Sequence, residues 1–329
     1  RDLHSFPTRR SSDLNLSELN TVMEECMKKV MAYICLAAFL FGTMEVALKT
    51  AGDSLDSIQL TFLRFLIGGI ILFPVGIRKR QQGGMKLTKS DHGWMTLVGI
   101  VGVPVSMLCF QLGVERCNAA TAASLICLNP LFTMLIAHFF TDEKMTALKS
   151  FAFLIGLVSA VLLIRPWDMQ SGNTLAGIVL MMAASVTFAA YTVMGKRTVA
   201  RMGTFFQTGY GFIAGSLVLL VVLLVSDRPV FEGVLDNFRI VMYCGIFVTG
   251  LGYMFFFLAI RHSDASTGAV AFFIKPAIAP VLAIIFLHEK IFWNTVAGVL
   301  LLMAASFISL YDTRLQSKTS GSKREDTVS

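Results

Sequence analysis

Residues 115–144, ERCNAATAASLICLNPLFTMLIAHFFTDEK, return in altered form as residues 261–290, RHSDASTGAVAFFIKPAIAPVLAIIFLHEK. At an offset of 146 the matches include Ala119/Ala265, Thr121/Thr267, Ala123/Ala269, Pro130/Pro276, Glu143/Glu289 and Lys144/Lys290. Shared alanines carry little weight in an apolar chain. A shared proline at mid-segment and a shared Glu-Lys at the end carry more. The interval also extends outward: Gly99, Ile100 and Phe110 match Gly245, Ile246 and Phe256, while Phe41, Val46 and Lys49 match Phe188, Val193 and Lys196 at 147. The chain reads as two copies of one unit.

Composition says where those copies reside. Of 329 residues, 55% are hydrophobic and only 15% charged, against about 25% charged in an ordinary soluble protein. Mean hydropathy is +0.69. Charge-poor stretches long enough to cross a hydrocarbon core of about 30 Å recur throughout. Ten are predicted, over 30–48, 57–77, 94–114, 118–140, 147–164, 173–194, 203–225, 239–260, 265–287 and 293–311. The predicted fold class is therefore an all-α polytopic membrane protein with ten transmembrane helices. Its halves, 30–164 and 173–311, hold five helices each. An odd number makes the second copy enter from the opposite side, so the repeat is inverted.

The net charge of +7 invites a nucleic-acid reading, which its distribution removes. Outside the first 14 residues and with the amino end inside, inner segments hold 17 Lys and Arg and outer loops six, while Arg64 and Lys275 lie within spans. This asymmetry satisfies the positive-inside rule, placing both termini in the cytoplasm of a bacterial-type inner membrane. Cys26, Cys35, Cys109, Cys117, Cys127 and Cys244 show no CxxC or Cys/His ligand spacing, and read as small buried hydrophobes rather than a disulfide or metal framework.

Residues 1–22 read as a non-native leader. Within it, SFPTRRSSDL (5–14) resembles one reading frame of a common sequencing adapter, and no apolar stretch follows it to make a signal peptide. The natural start is expected at Met23 or Met27, and 312–329 reads as a flexible cytoplasmic tail.

The FGTMEVALK stretch at 41–49, the Arg of the second span, the paired Pro and Glu-Lys signatures and the last span with Gly298 resemble the EamA-type branch of the drug/metabolite transporter superfamily. The resemblance covers about residues 30–312. It implies ten helices in two five-helix repeats that move small metabolites by alternating access. One departure is Phe41, where many members carry Trp.

Ionisable groups inside a membrane are costly and usually face a cavity or a partner. At 1.5 Å per residue, Lys275 lies about 15 Å from the inner edge and its counterpart Asn129 about 16 Å from the other side. Both are near the midplane, and each immediately precedes a proline. Pro130 and Pro276, with Pro280, are predicted helix breaks that free carbonyls near Ile126 and Phe272. The two polar-Pro pairs are therefore where the substrate cavity is expected.

Glu45 and Arg64, about 22 and 20 Å deep on adjacent helices, are expected to pair. That pairing would leave Lys275 to meet an anionic or zwitterionic solute, an amino acid or another carboxylate, or to lose its proton and couple transport to protons. Gln111, Tyr191 and Tyr253 are further candidate cavity-lining groups. His138 reads as interfacial, and Glu143 and Glu289 as caps or gates before the following helices. Gly211 and Gly215 form a GxxxG face for packing, or for a homodimer.

No GxxxxGK[ST], HExxH or GxSxG occurs, and no metal or cofactor site is predicted. The function reads as a secondary-active transporter, permease or exporter, and not an enzyme. The alternative is an intramembrane enzyme acting on a lipid-linked or small substrate. A channel is disfavoured because no filter-like sequence repeats.

Overall fold

The computed structural model describes residues 16–51, 55–82, 87–141, 143–164, 172–263, 271–288 and 292–325. These are helical, with no β-strand among them. The sequence from 5 to 14 and residue Glu289 lie outside the described residues.

Helices α1 (Leu16–Gly42) and α2 (Met44–Ala51) are joined at Thr43. α3 follows (Ser57–Gln82). α4 (Lys89–Ile100) and α5 (Leu108–Glu115) are continuous through a π-helical segment, Val101–Met107. α6 (Ala119–Ile126) and α7 (Asn129–Phe140) are separated by a two-residue turn. α8 (Ala147–Ile164), α9 (Leu175–Met202) and α10 (Thr204–Val225) come next. α11 (Phe238–Met242) and α12 (Tyr253–His262) flank a second π-helical segment, Tyr243–Gly252. α13 (Ala271–Leu287) and α14 (Trp293–Glu325) complete the described chain.

Eight stretches are long and apolar enough to cross a membrane: Met27–Thr50, Ser57–Gln81, Lys89–Glu115, Ala119–Phe140, Ala147–Ile164, Leu175–Met202, Thr204–Val225 and Phe238–His262. Two further helices, α13 and α14, follow them. Phe39, Leu154, Val221 and Leu300 are among the large apolar side chains that face outward, while Glu45, Arg64, Asn129, Gln207 and Lys275 are buried. That distribution, apolar outside and polar inside, suits a hydrocarbon surround.

Packing follows the interval seen in the sequence. α3 lies along α10 and α8 along α14, so the second helix of each copy meets its counterpart and so does the fifth. α1 packs on α12 and α13, and α9 packs on α5 and α7, again the same two partnerships once in each copy. The closest approaches use glycine. A Cβ on Gly99 would run into the Gly211 carbonyl, and one on Gly215 would meet Val103 at 2.7 Å. The Gly211/Gly215 face is thus used inside the chain, against the third span, and not for a homodimer.

Two segments set apart in the sequence are helical in part, and one predicted helix break is corrected. Helix α14 runs to Glu325, through the stretch read as a flexible tail. Extending a formed helix costs far less than nucleating one, and this stretch has Arg, Leu, Gln and Lys. Helix α1 likewise starts at Leu16, inside the expected leader. Lastly, α13 runs unbroken across positions 276 and 280, whereas a break does occur before Asn129-Pro130. A proline removes one hydrogen bond, which bends or stops a helix only if the packing around it yields.

Candidate functional site

The site is built by two interruptions of regular helix. At Gly42 the first span meets α13 so closely that a Cβ would stand 2.9 Å from Ile278 Cγ2. Thr43 then leaves the helix, its hydroxyl donating to Leu40 O at 2.8 Å and meeting Tyr243 Oη at 2.6 Å. The chain restarts with Met44 and Glu45 in the first turn of α2, where a carboxylate suits the positive helix end. In the fourth span, Cys127 N and Leu128 N turn back to Ser124 O and Leu125 O, each at 3.1 Å, and α7 restarts at Asn129 with Pro130 in its first turn. Pro suits that position because its missing N–H would be unpaired there anyway.

Glu45 and Lys275 form an ion pair with both side chains fully buried. This corrects the expected Glu45–Arg64 pairing, and with it the expectation that Lys275 lacks a protein counter-charge. Matched depth favoured Arg64, but the turn at Thr43 directs Glu45 toward α13, against which α2 packs. The long stem of Lys275 does the rest, and its Nζ also sits 5.4 Å from the centre of the Phe110 ring.

Arg64 is left in a different situation. Its side chain is fully buried; Nη1 donates to Met44 Sδ at 3.3 Å, and the guanidinium carbon is 4.7 Å from the Phe65 ring centre. Nε and Nη2 have no hydrogen-bond partner among the described residues. The same holds for Glu45 Oε2, Gln111 Oε1 and the Tyr191 hydroxyl, all buried. Polar atoms so placed cost free energy unless something satisfies them in another state of the molecule.

Asn129 is engaged: Nδ2 donates to Ser185 O at 3.1 Å and Oδ1 accepts from the Thr133 hydroxyl at 3.3 Å. Tyr253 donates to Met107 Sδ at 3.0 Å. Between these groups is a void of about 10 Å³, lined by Phe41, Met44, Met107, Phe110, Ile126, Phe188 and Tyr253. Around it the aromatic rings interlock edge to face, with Phe41 and Tyr253 at 5.1 Å and Phe188 and Tyr253 at 5.9 Å. Tyr253 lines this void directly, while Arg64 and the Lys275–Glu45 pair lie behind its wall, against Met44 and Phe110 respectively. Asn129, Tyr191 and Gln111 are buried on the surrounding helices.

A second cavity was not foreseen. A groove of about 930 Å³ is walled by Trp94, Ile136, Phe139 and Met194 together with Glu143, Lys196 and Arg197. Glu143 and Lys196 form an ion pair at 3.0 Å. Glu143 is therefore not the cap of α8; the Thr146 hydroxyl takes that role, accepting from Lys149 N at 3.1 Å. His138 closes the loop between these helices by accepting from Met145 N at 3.2 Å. The signal for the ion pair was present in the sequence, since Glu143 and Lys196 both lie at repeat-matched positions.

Comparison with known proteins agrees with this architecture. The profile of the EamA-like transporter family matches twice, over residues 28–165 and 175–311. An uncharacterized transporter of Clostridium kluyveri is 34% identical over 290 residues, covering 86% of this chain and 93% of the relative. An uncharacterized transporter of Archaeoglobus fulgidus is 26% identical over 84% of this chain and 96% of its own length. The pseudopaline exporter CntI of Pseudomonas aeruginosa is 22% identical over 85% of this chain and 95% of the exporter. A solved crystal structure superposes with a TM-score of 0.66 at 19% identity, covering 88% of this chain and 99% of that one, which speaks to the fold alone.

Proposed function

The chain belongs to the EamA-like transporter family, and we propose that it is a secondary carrier moving a small metabolite by alternating access. Membership places it in the drug/metabolite transporter superfamily, as the sequence resemblance implied. We read it as ten spanning helices in two inverted five-helix repeats, with both termini in the cytoplasm and the site at the buried centre. The solute is a carboxylate-bearing metabolite, an amino acid or an organic acid.

The observation that carries this reading is the paired packing of the helices. Helices two and seven meet, five and ten meet, and one and six each grip the corresponding pair from the other copy. Two such halves can exchange roles, one opening as its counterpart closes, around a fixed site. The buried polar cluster lies where those halves join, and its closed void suits a state between openings. Export is the direction favoured by the relative named as an exporter. Proton coupling through the Glu45–Lys275 pair fits the same geometry, since each member can hold the proton the other lacks.

The enzyme alternative is not favoured, because the relatives are named as transporters. Counterflow in proteoliposomes tests the reading. Exchange of labelled solute accelerated by unlabelled solute on the far side is the expected result. Chemical conversion of the solute without translocation would sink it.

A further inference from the structure

We infer that Arg64 is the receptor for the solute's anionic group, and that the solute is an organic monoanion with an apolar body. This rests on the carrier reading and narrows its carboxylate-bearing solute to organic acids, setting zwitterionic amino acids aside.

Three observations converge on Arg64. The first is geometric. Its two nitrogens without a hydrogen-bond partner among the described residues are Nε and Nη2. Those are the pair whose N–H bonds run parallel along one edge of a guanidinium, the edge that takes a carboxylate in bidentate fashion. The remaining donor group is held by the Met44 thioether, and the flat face by Phe65.

The second is charge. Besides Tyr253 and Cys244, both neutral at ordinary pH, the group that acts on Arg64 electrostatically is Glu45, whose carboxylate is paired with Lys275. With Glu45 and Lys275 cancelling, Arg64 leaves one net positive charge in the buried centre. One bound monoanion cancels that charge. A zwitterion leaves it uncompensated, and an amine doubles it, at the large cost of isolated buried charge.

The third is shape. Met44, which Arg64 touches, also lines the central void, and the other walls include Phe41, Phe110, Phe188 and Tyr253. At about 10 Å³ the void is no more than water-sized, so the solute enters as these walls part; aromatic walls suit an apolar body, with Arg64 behind Met44 to take one carboxylate. Met44 has a flexible, unbranched side chain that can swing aside to admit the anion.

The test is equilibrium binding to the full chain in nanodiscs, using butyrate, phenylacetate and naphthylacetate beside the matched amines and alcohols. Saturable binding of at least one carboxylate, and of no matched amine or alcohol, is expected. Arg64→Gln should weaken that binding by roughly 10- to 100-fold, as loss of a charged hydrogen bond does. If Arg64→Gln does not fold, Arg64→Lys decides: it keeps the charge but not the fork, and a clear loss of affinity is expected. Binding of amines or alcohols as tight as that of the acids, no binding by any acid, or unchanged affinity in a folded variant would each overturn the inference. Carboxylate binding without counterflow would instead sink the carrier reading and leave the receptor standing.

Discussion

Met107 and Tyr253 lie 146 residues apart, the interval that separates the two copies of the repeat, and they touch: the Tyr253 hydroxyl donates to Met107 Sδ at 3.0 Å. Side chains at matched positions can meet in this way only near an axis that relates the copies. Both belong to the third helix of their half, and each lies at the edge of a π-helical segment, Val101–Met107 in one copy and Tyr243–Gly252 in the other. A widened turn has been retained at the same place twice.

The contact across the two copies can be weighed by a double-mutant cycle. Tyr253→Phe, Met107→Leu and the pair together should show a coupling of about 0.5–1 kcal/mol in reversible unfolding in detergent, the usual worth of one neutral hydrogen bond. A coupling of zero would mean that the two residues are neighbours without being partners.

The Glu45–Lys275 pair should behave as a unit. Glu45→Gln alone strands a buried ammonium and is expected to cost about 3–5 kcal/mol. The double variant Glu45→Gln, Lys275→Met should regain most of that stability while failing in counterflow. Size-exclusion profiles and unfolding midpoints read the first outcome, proteoliposomes the second.

Glycine positions give a steric contrast. A Cβ at Gly99 meets the backbone of α10, whereas one at Gly93 meets nothing within 4 Å. Gly99→Ala should lose at least about 1–3 kcal/mol, since backbone cannot step aside as a side chain can. Gly93→Ala, in an exposed part of α4, should be neutral or slightly stabilising. Thermal unfolding of the two side by side settles the comparison.

Cys117 supplies a chemical probe of the segment between α5 and α6. It is fully buried, and burial pushes its thiol up to about 11. Only the thiolate reacts, so maleimide labelling at pH 7.5 should run about 300-fold slower than at an ordinary thiol of pKa about 8.5. The rate should climb about tenfold per pH unit until the thiol itself titrates. Fast labelling at neutral pH would show that this segment is open.

The Glu143–Lys196 pair, partly exposed at the groove, should matter far less to stability. Glu143→Gln is expected to change it by under about 1 kcal/mol, and less at high salt.

Much of this arrangement was legible in the chain. Long apolar stretches follow from composition, the interval of 146 from matched residues, and the burial of Glu45, Arg64 and Lys275 inside spans from 1.5 Å per residue. The identity of the ion partner did not. Rise along a helix gives depth but says nothing of direction around the axis, and the turn at Thr43 that aims Glu45 leaves no periodic trace. The π-helical segments were equally hidden: Pro104 lies in one and three glycines in the other, so no common string marks them. Pro276 misled for the opposite reason, since it matches Pro130 in sequence while only Pro130 follows a break.

Among the described residues, the turns at Thr43 and at Cys127–Leu128 both fall in the first copy, while α9 and α13 run as continuous helix through the matching positions of the second. The two copies are therefore alike in plan and unlike at these two points. Where one spends its backbone hydrogen bonds on a joint, the other spends them on a strut.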